Sequence, residues 1–176
     1  MAGINVPIGP AIVEYGEGVD MVTFDITKGG IVFTTTNSKQ DVTVDQYGDT
    51  VVKSIYKGGT AQVTVPFALY DLEKLSKVTP NSTYVTGSGG KEKLEVRASA
   101  GLNLLDTAKK LVIKPTDPSA TANDWITIPI AGAIVDHNYA YDSDNERITP
   151  VTFVAYPDID DDGLLFIMGD ETATAV

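Results

Sequence analysis

The chain has 176 residues, 43% of them hydrophobic, and 24 acids against 13 bases give it a formal net charge of −11. That length and apolar content suit one domain with a sizeable core and exclude a disordered chain. It has no cysteine and one histidine, His137; this excludes disulfides, thiolate-bound metals and multi-histidine zinc sites, and the acidic balance opposes gripping nucleic acid by its phosphates.

In chain order, Met1–Gly18 lacks the basic and apolar regions of a secretory signal and reads as an irregular N-terminal arm. Met21–Thr27 alternates with period two, as a half-buried strand does. Gly29-Gly30 leads into IVFTTT, a β-branched run, and Asn37-Ser38-Lys39 is a turn signal. DVTVDQ alternates again; after Tyr47-Gly48-Asp49 comes TVVKSIY, and Lys57-Gly58-Gly59 predicts a hairpin turn before TAQVTVPF.

The period then changes. Pro66–Lys77 places Leu69, Leu72 and Leu75 on one face of a helix, with Glu73 and Lys77 in the favourable i,i+4 order and Pro80 ending it. A helix of about three turns is marginal alone, so it is expected to pack on the sheet. Thr86–Gly90 reads as a loop, Leu94–Ser99 as a strand, and AGLNLLDTAKK as a short helical turn before the strand LVIKP. Trp125–Ile130 and Ala133–Tyr141 read as a strand pair bent at Ala131-Gly132, and Ile148–Tyr156 with Leu164–Met168 as the last pair. No linker splits the chain, and no apolar run is long enough for a transmembrane helix. The fold class expected is mainly β, a sandwich or barrel with one flanking helix at about Pro66–Lys77.

No constellation supports catalysis. His137 lacks a nucleophile or orienting partner in the sequence, and Gly87–Gly90 matches neither a nucleophile elbow nor a phosphate loop. Asp158, Asp160 and Asp162 before Gly163 reproduce the first half of an EF-hand loop, but Gly169 stands where the bidentate acid belongs. They make at most a weak calcium loop, and an acidic solvated turn accounts for them better. Tyr139 and Tyr141 could form an aromatic stripe for sugar, though cross-strand packing is the commoner use. No catalytic, cofactor or metal site is assigned. Ten of the 24 acids, with Arg147 the one base among them, fall in Asp136–Val176, so the charge is concentrated in the last quarter.

The order of elements carries more. A strand, a D-Q-x-G turn, a glycine-closed hairpin and a Val-Pro-apolar entry into an amphipathic helix run from Asp41 to Pro80. AGLNLLDTAKKLVIKP follows, and VTFVAYPDIDDDGLLFIMGD ends the series with an aromatic strand, a Pro-Asp turn and a Gly-Asp. From about Gly29 to Asp170 this series resembles the tail tube (major tail) proteins of bacteriophages with long non-contractile tails.

The resemblance implies a single tail-tube-like domain over residues 1–176, with 1–18 as an arm. It implies a non-enzymatic virion protein, made in the bacterial host cytoplasm, whose hexameric rings stack into a tube. The implied partners are further copies of itself, the tape-measure protein and the tail terminator; DNA passes without specific binding. An extended loop in such proteins docks on the next ring, and Asp45, Gln46, Tyr47, Gly48 and Asp49 are the candidates here, with the N-terminal arm second. Elementary chemistry agrees: open sheet edges template pairing with other chains, a heterologous contact that closes by rotation makes a ring, and acidic walls would not hold DNA. The alternatives are a head–tail joining, terminator or baseplate ring protein and, in a different class, a calcium-dependent carbohydrate-binding adhesin using Asp158–Asp162 with Tyr139 and Tyr141.

Overall fold

The computed structural model describes residues 9–174. Its strands are β1 Ala11–Tyr15, β2 Val22–Phe24, β3 Val32–Thr43, β4 Val51–Phe67, β5 Ser82–Gly87, β6 Lys91–Val96, β7 Lys109–Pro115, β8 Ile126–Val135, β9 Thr149–Ala155 and β10 Ile167–Met168. Among the described residues one α-helix, α1 Leu72–Ser76, lies between β4 and β5. The protein is mainly β with one flanking helix.

The main sheet runs β2-β1-β7-β8-β9-β4-β3, antiparallel throughout. β8 is paired along one edge by β7; its other edge is shared by β10, at Ile126 and Thr127, and β9, at Ala131–Val135. The sheet curls round its core. Leaving β2, the chain turns along the far end of β4, where Thr27 bridges Phe67, Ala68 N donates to Ile26 O at 3.0 Å and Lys28 N donates to Pro66 O at 3.1 Å.

Period-two alternation supplies the inner face. Val13 and Tyr15, Val22 and Phe24, Val63, Val65 and Phe67, Leu111, Ile128, Val151 and Phe153 are all buried. Tyr15 and Phe24 both pack on Phe153, with centroids 4.8 and 5.9 Å away, and Phe24 meets Phe67 edge-on at 5.0 Å. Burying one such aromatic contributes about 1.5–3 kcal/mol. Gly132 in β8 is required by close approach: a Cβ there would sit 2.6 Å from the Tyr156 ring.

Several expectations are corrected. The helix is α1 alone, five residues long, not Pro66–Lys77. Pro66 and Phe67 finish β4, because the alternation of Val63, Val65 and Phe67 keeps their side chains in the core and Pro66 still offers its carbonyl to Lys28. Asp71 caps α1, its side chain accepting from Lys74 N at 3.0 Å. Of the proposed helix face, Leu75 is buried, Leu72 half-buried and Leu69 exposed, and α1 packs against β5 and β6.

Neither mid-chain turn signal makes a turn. Asn37-Ser38-Lys39 lies inside β3, and Gly58-Gly59 inside β4. Two short hairpins are replaced by one long one, closed only at Asp45–Thr50, where Asp45–Tyr47 forms a 3-10 turn.

The second half of the supposed irregular arm is β1, held by Tyr15 and Val13 in the core between β2 and β7; Met1–Ile8 lies outside the described residues. Trp125–Ile130 and Ala133–Tyr141 are not a pair: β8 runs unbroken from Ile126 to Val135, and Asp136–Arg147 carries no strand. β10 pairs with β8, not β9, although Asp158 bridges Leu164. β5 has no counterpart among the expected strands; it takes Thr86 and Gly87 from the expected Thr86–Gly90 loop, because they pair Glu92 and Lys91 of β6, and leaves only Ser88–Gly90 as the connection.

Candidate assembly surface

The feature that departs most from a closed β-domain is the β3–β4 hairpin. Its base, Phe33 and Ala61–Phe67, lies on the core, while from Thr34 to Lys57 the residues are exposed, Val42 apart. At ~3.3 Å per residue, β4 before Gly58 projects roughly 20 Å from the body. Among the described residues β3 pairs only with β4, and β4 before Gln62 pairs only with β3, so both outer edges of this arm present unpaired backbone.

The arm is apolar for an exposed element. Tyr47 is 68% exposed, and Val44, Val51, Val52, Ile55 and Tyr56 also face solvent. It carries equal charge of each sign, with Lys39, Lys53 and Lys57 against Asp41, Asp45 and Asp49, in a protein whose total is −11. Asp41 accepts from Ser54 Oγ at 2.5 Å across the strands and pairs with Lys39 Nζ at 3.1 Å. The Ser54 hydrogen bond, with Lys39 beside it, holds the Asp41 carboxyl below its ordinary value. These links brace the stem.

Asp45, Gln46, Tyr47, Gly48 and Asp49 come together at the arm's tip, all exposed. Tyr47 N and Gly48 N donate back to Val44 O and Asp45 O, and Gly48 takes φ 61°, which a side chain would strain.

The other singled-out residues stay apart from the arm. Asp158 spends one carboxylate oxygen capping its own turn, accepting from Asp160 N at 3.1 Å. Among the described residues no three His, Asp or Glu side chains converge as a metal site. His137 lies on an exposed loop, its Nδ1 3.2 Å from the Tyr139 hydroxyl, which in turn lies 2.6 Å from Thr149 Oγ1. Tyr139 and Tyr141 therefore form no strand stripe; Tyr141 instead meets the Arg147 guanidinium, which also lies over Tyr70. Trp125 is half-buried beneath Lys114, whose Nζ is 4.4 Å from the ring centroid.

The acids of the last quarter sit mostly on turns. Asp142 accepts from the backbone of Asp144 and Asn145 and from the Asn145 side chain, and these bonds lower its pKa. Asp25 and Asp136 are exposed beside strands.

The chain matches no protein-family model, and no curated protein is significantly similar to it.

The sequence reading missed the arm's stem. Val51, Val52, Ile55 and Tyr56 read as a strand, and nothing in their alternation distinguishes a strand on a core from one standing clear of it. The signal that could have found it is the absence of an apolar partner set: opposite Ser54 and Ile55 stand Asp41 and Gln40.

Proposed function

We propose that this protein is a self-assembling structural subunit of the tail tube type, six copies closing a ring and rings stacking into a tube that conducts DNA during ejection. The observation that supports this most is the β3–β4 arm. It exposes Tyr47, Val51, Val52 and Ile55 and two unpaired backbone edges, a combination that templates pairing with another chain. A stable contact of this kind buries about 1,200–2,000 Å² or more, which an arm reaching onto a neighbouring copy can supply. The tip, Asp45–Asp49, is the element proposed to dock on the next ring. The tape-measure protein inside the tube and a terminator at its end are the implied partners, and the acidic balance suits a wall that lets phosphates pass.

Negative-stain electron microscopy of the purified protein across a concentration series tests the reading. Tubes of stacked rings are expected. Isolated rings that never stack would favour a joining or terminator role, and particles that remain monomeric at every concentration would overturn the proposal.

A further inference from the structure

We propose that Tyr56, Asn37 and Gly59 are positioning residues that lock the direction of the arm at a built-in bend. The bend lies where the hairpin leaves the core. Gly59 pairs with Asn37 and Gly58 with Ser38, but the next pair is Tyr56 with Lys39, so Lys57 is an extra residue and β4 bulges there. A bulge of this kind kinks its strand and sharpens the local twist, re-aiming whatever follows.

The two glycines serve different ends. Gly58 takes φ 103°, a backbone state that side chains disfavour, and a Cβ there would meet nothing. At Gly59 the obstacle is space: a Cβ would sit 2.7 Å from Asn37 Oδ1, 2.9 Å from the Tyr56 hydroxyl and 3.2 Å from Thr36 O. The missing side chain leaves the room in which Tyr56 lies, its hydroxyl donating to Asn37 Oδ1 at 3.1 Å.

That hydrogen bond crosses the bulge. Tyr56 belongs to the arm side of the extra residue, and Asn37, paired with Gly59, to the body side. Tyr56 is otherwise 67% exposed, so no core contact accounts for where its ring lies. The other face of the bulge is a shallow hollow bordered by Thr36, Ser38, Lys57, Gly58, Gly59 and Thr60. Two strand crossings permit a range of bend angles, and the Tyr56–Asn37 contact over Gly59 selects one. How the aim is used rests on the assembly reading above; the aim itself does not.

The chain has no cysteine, so paired labels can be placed cleanly. Thr50→Cys at the tip and Glu73→Cys on α1, spin-labelled and diluted with unlabelled protein, report the tip-to-body distance by pulsed electron–electron resonance. A single narrow distance distribution is expected in this parent. Tyr56→Ala and Gly59→Ala should each broaden it at least twofold or shift its centre, with the melting temperature of the body little changed; Tyr56→Phe, keeping the ring without the hydroxyl, should fall between. A broad distribution in the parent, or an unchanged one in Tyr56→Ala, overturns the proposal. Because Tyr56 is exposed, its substitution reads the latch even if Gly59→Ala does not fold. Tube formation by the same samples is scored separately, so a failure of the assembly reading is not mistaken for a failure of the latch.

Discussion

Tyr15 shows what one buried hydroxyl does to pH behaviour. Its hydroxyl lies 3.1 Å from Ala131 O and 3.2 Å from Thr107 O, donating to one at a time, and burial pushes its pKa up from 10.0 to about 12. The folded state thus favours the neutral phenol. Its contribution is complete below pH 10, where both folded and unfolded forms are protonated, and is lost as pH rises from 10 towards about 12. Tyr15 is expected to ionise late, together with the loss of β-sheet circular dichroism; Tyr15→Phe should remove its late step from the tyrosinate absorbance titration. Asp142 has the opposite sign. Its lowered pKa stabilises the turn above the ordinary aspartate range, and that support goes as pH falls through the folded value. Since the Asn145 side chain is the largest cause, Asn145→Ala should move the Asp142 carboxyl titration, followed by carbon-detected NMR, to higher pH. At Gly132 the constraint is steric. The Cβ of Gly132→Ala would press on the Tyr156 ring at 2.6 Å, and a loss of ~1–3 kcal/mol is expected in urea unfolding.

Among elements, those that alternate against a core were legible and those decided by distant partners were not. β7 and β9 lie close to where LVIKP and Ile148–Tyr156 were expected, because Leu111, Ile113, Val151 and Phe153 all face inward. The helix was overread because Leu69, Leu72 and Leu75 fit a 3.6-residue period, while Val63, Val65 and Phe67 before them fit period two, and a window spanning both cannot show where one ends. The buried pairing of Phe67 with Thr149 decides it for strand. The glycine pair was misread for a similar reason. Gly58-Gly59 suits a hairpin turn or a bulge equally, and only the twelve-residue length of β3 opposite makes it a bulge. The revised helix carries its own test. Leu75→Ala, at 1% exposure, should lose ~2–5 kcal/mol, whereas Leu69→Ala, at 39% exposure, should stay within ~0.5 kcal/mol by chemical denaturation. Equal losses would restore the longer helix.

At the scale of the molecule the question is whether the arm belongs to the monomer's stability or to its neighbours'. The body has its own closed core, joined by Tyr15, Phe24, Phe67 and Phe153, and the arm adds no buried side chain to it between Thr34 and Gly58. Its tip was legible as a turn from Tyr47-Gly48-Asp49, but the stem was not, since exposure is a property of what surrounds a strand and not of its own alternation. An arm that contributes nothing to its own core can be removed without unfolding the body. Lys39 and Tyr56 are paired across the hairpin, so joining them through a two-residue Asn-Gly turn deletes the arm while keeping the register. Binding that engages only the folded state raises apparent stability by mass action, and the rise grows with concentration. The parent's melting temperature is therefore expected to increase with protein concentration, and that of the shortened chain to stay constant at about the parent's dilute value. A rise in both would place the contact elsewhere on the subunit. Constancy in both would mean that the exposed Tyr47, Val51, Val52 and Ile55 meet no second copy, and the assembly reading would fall with them.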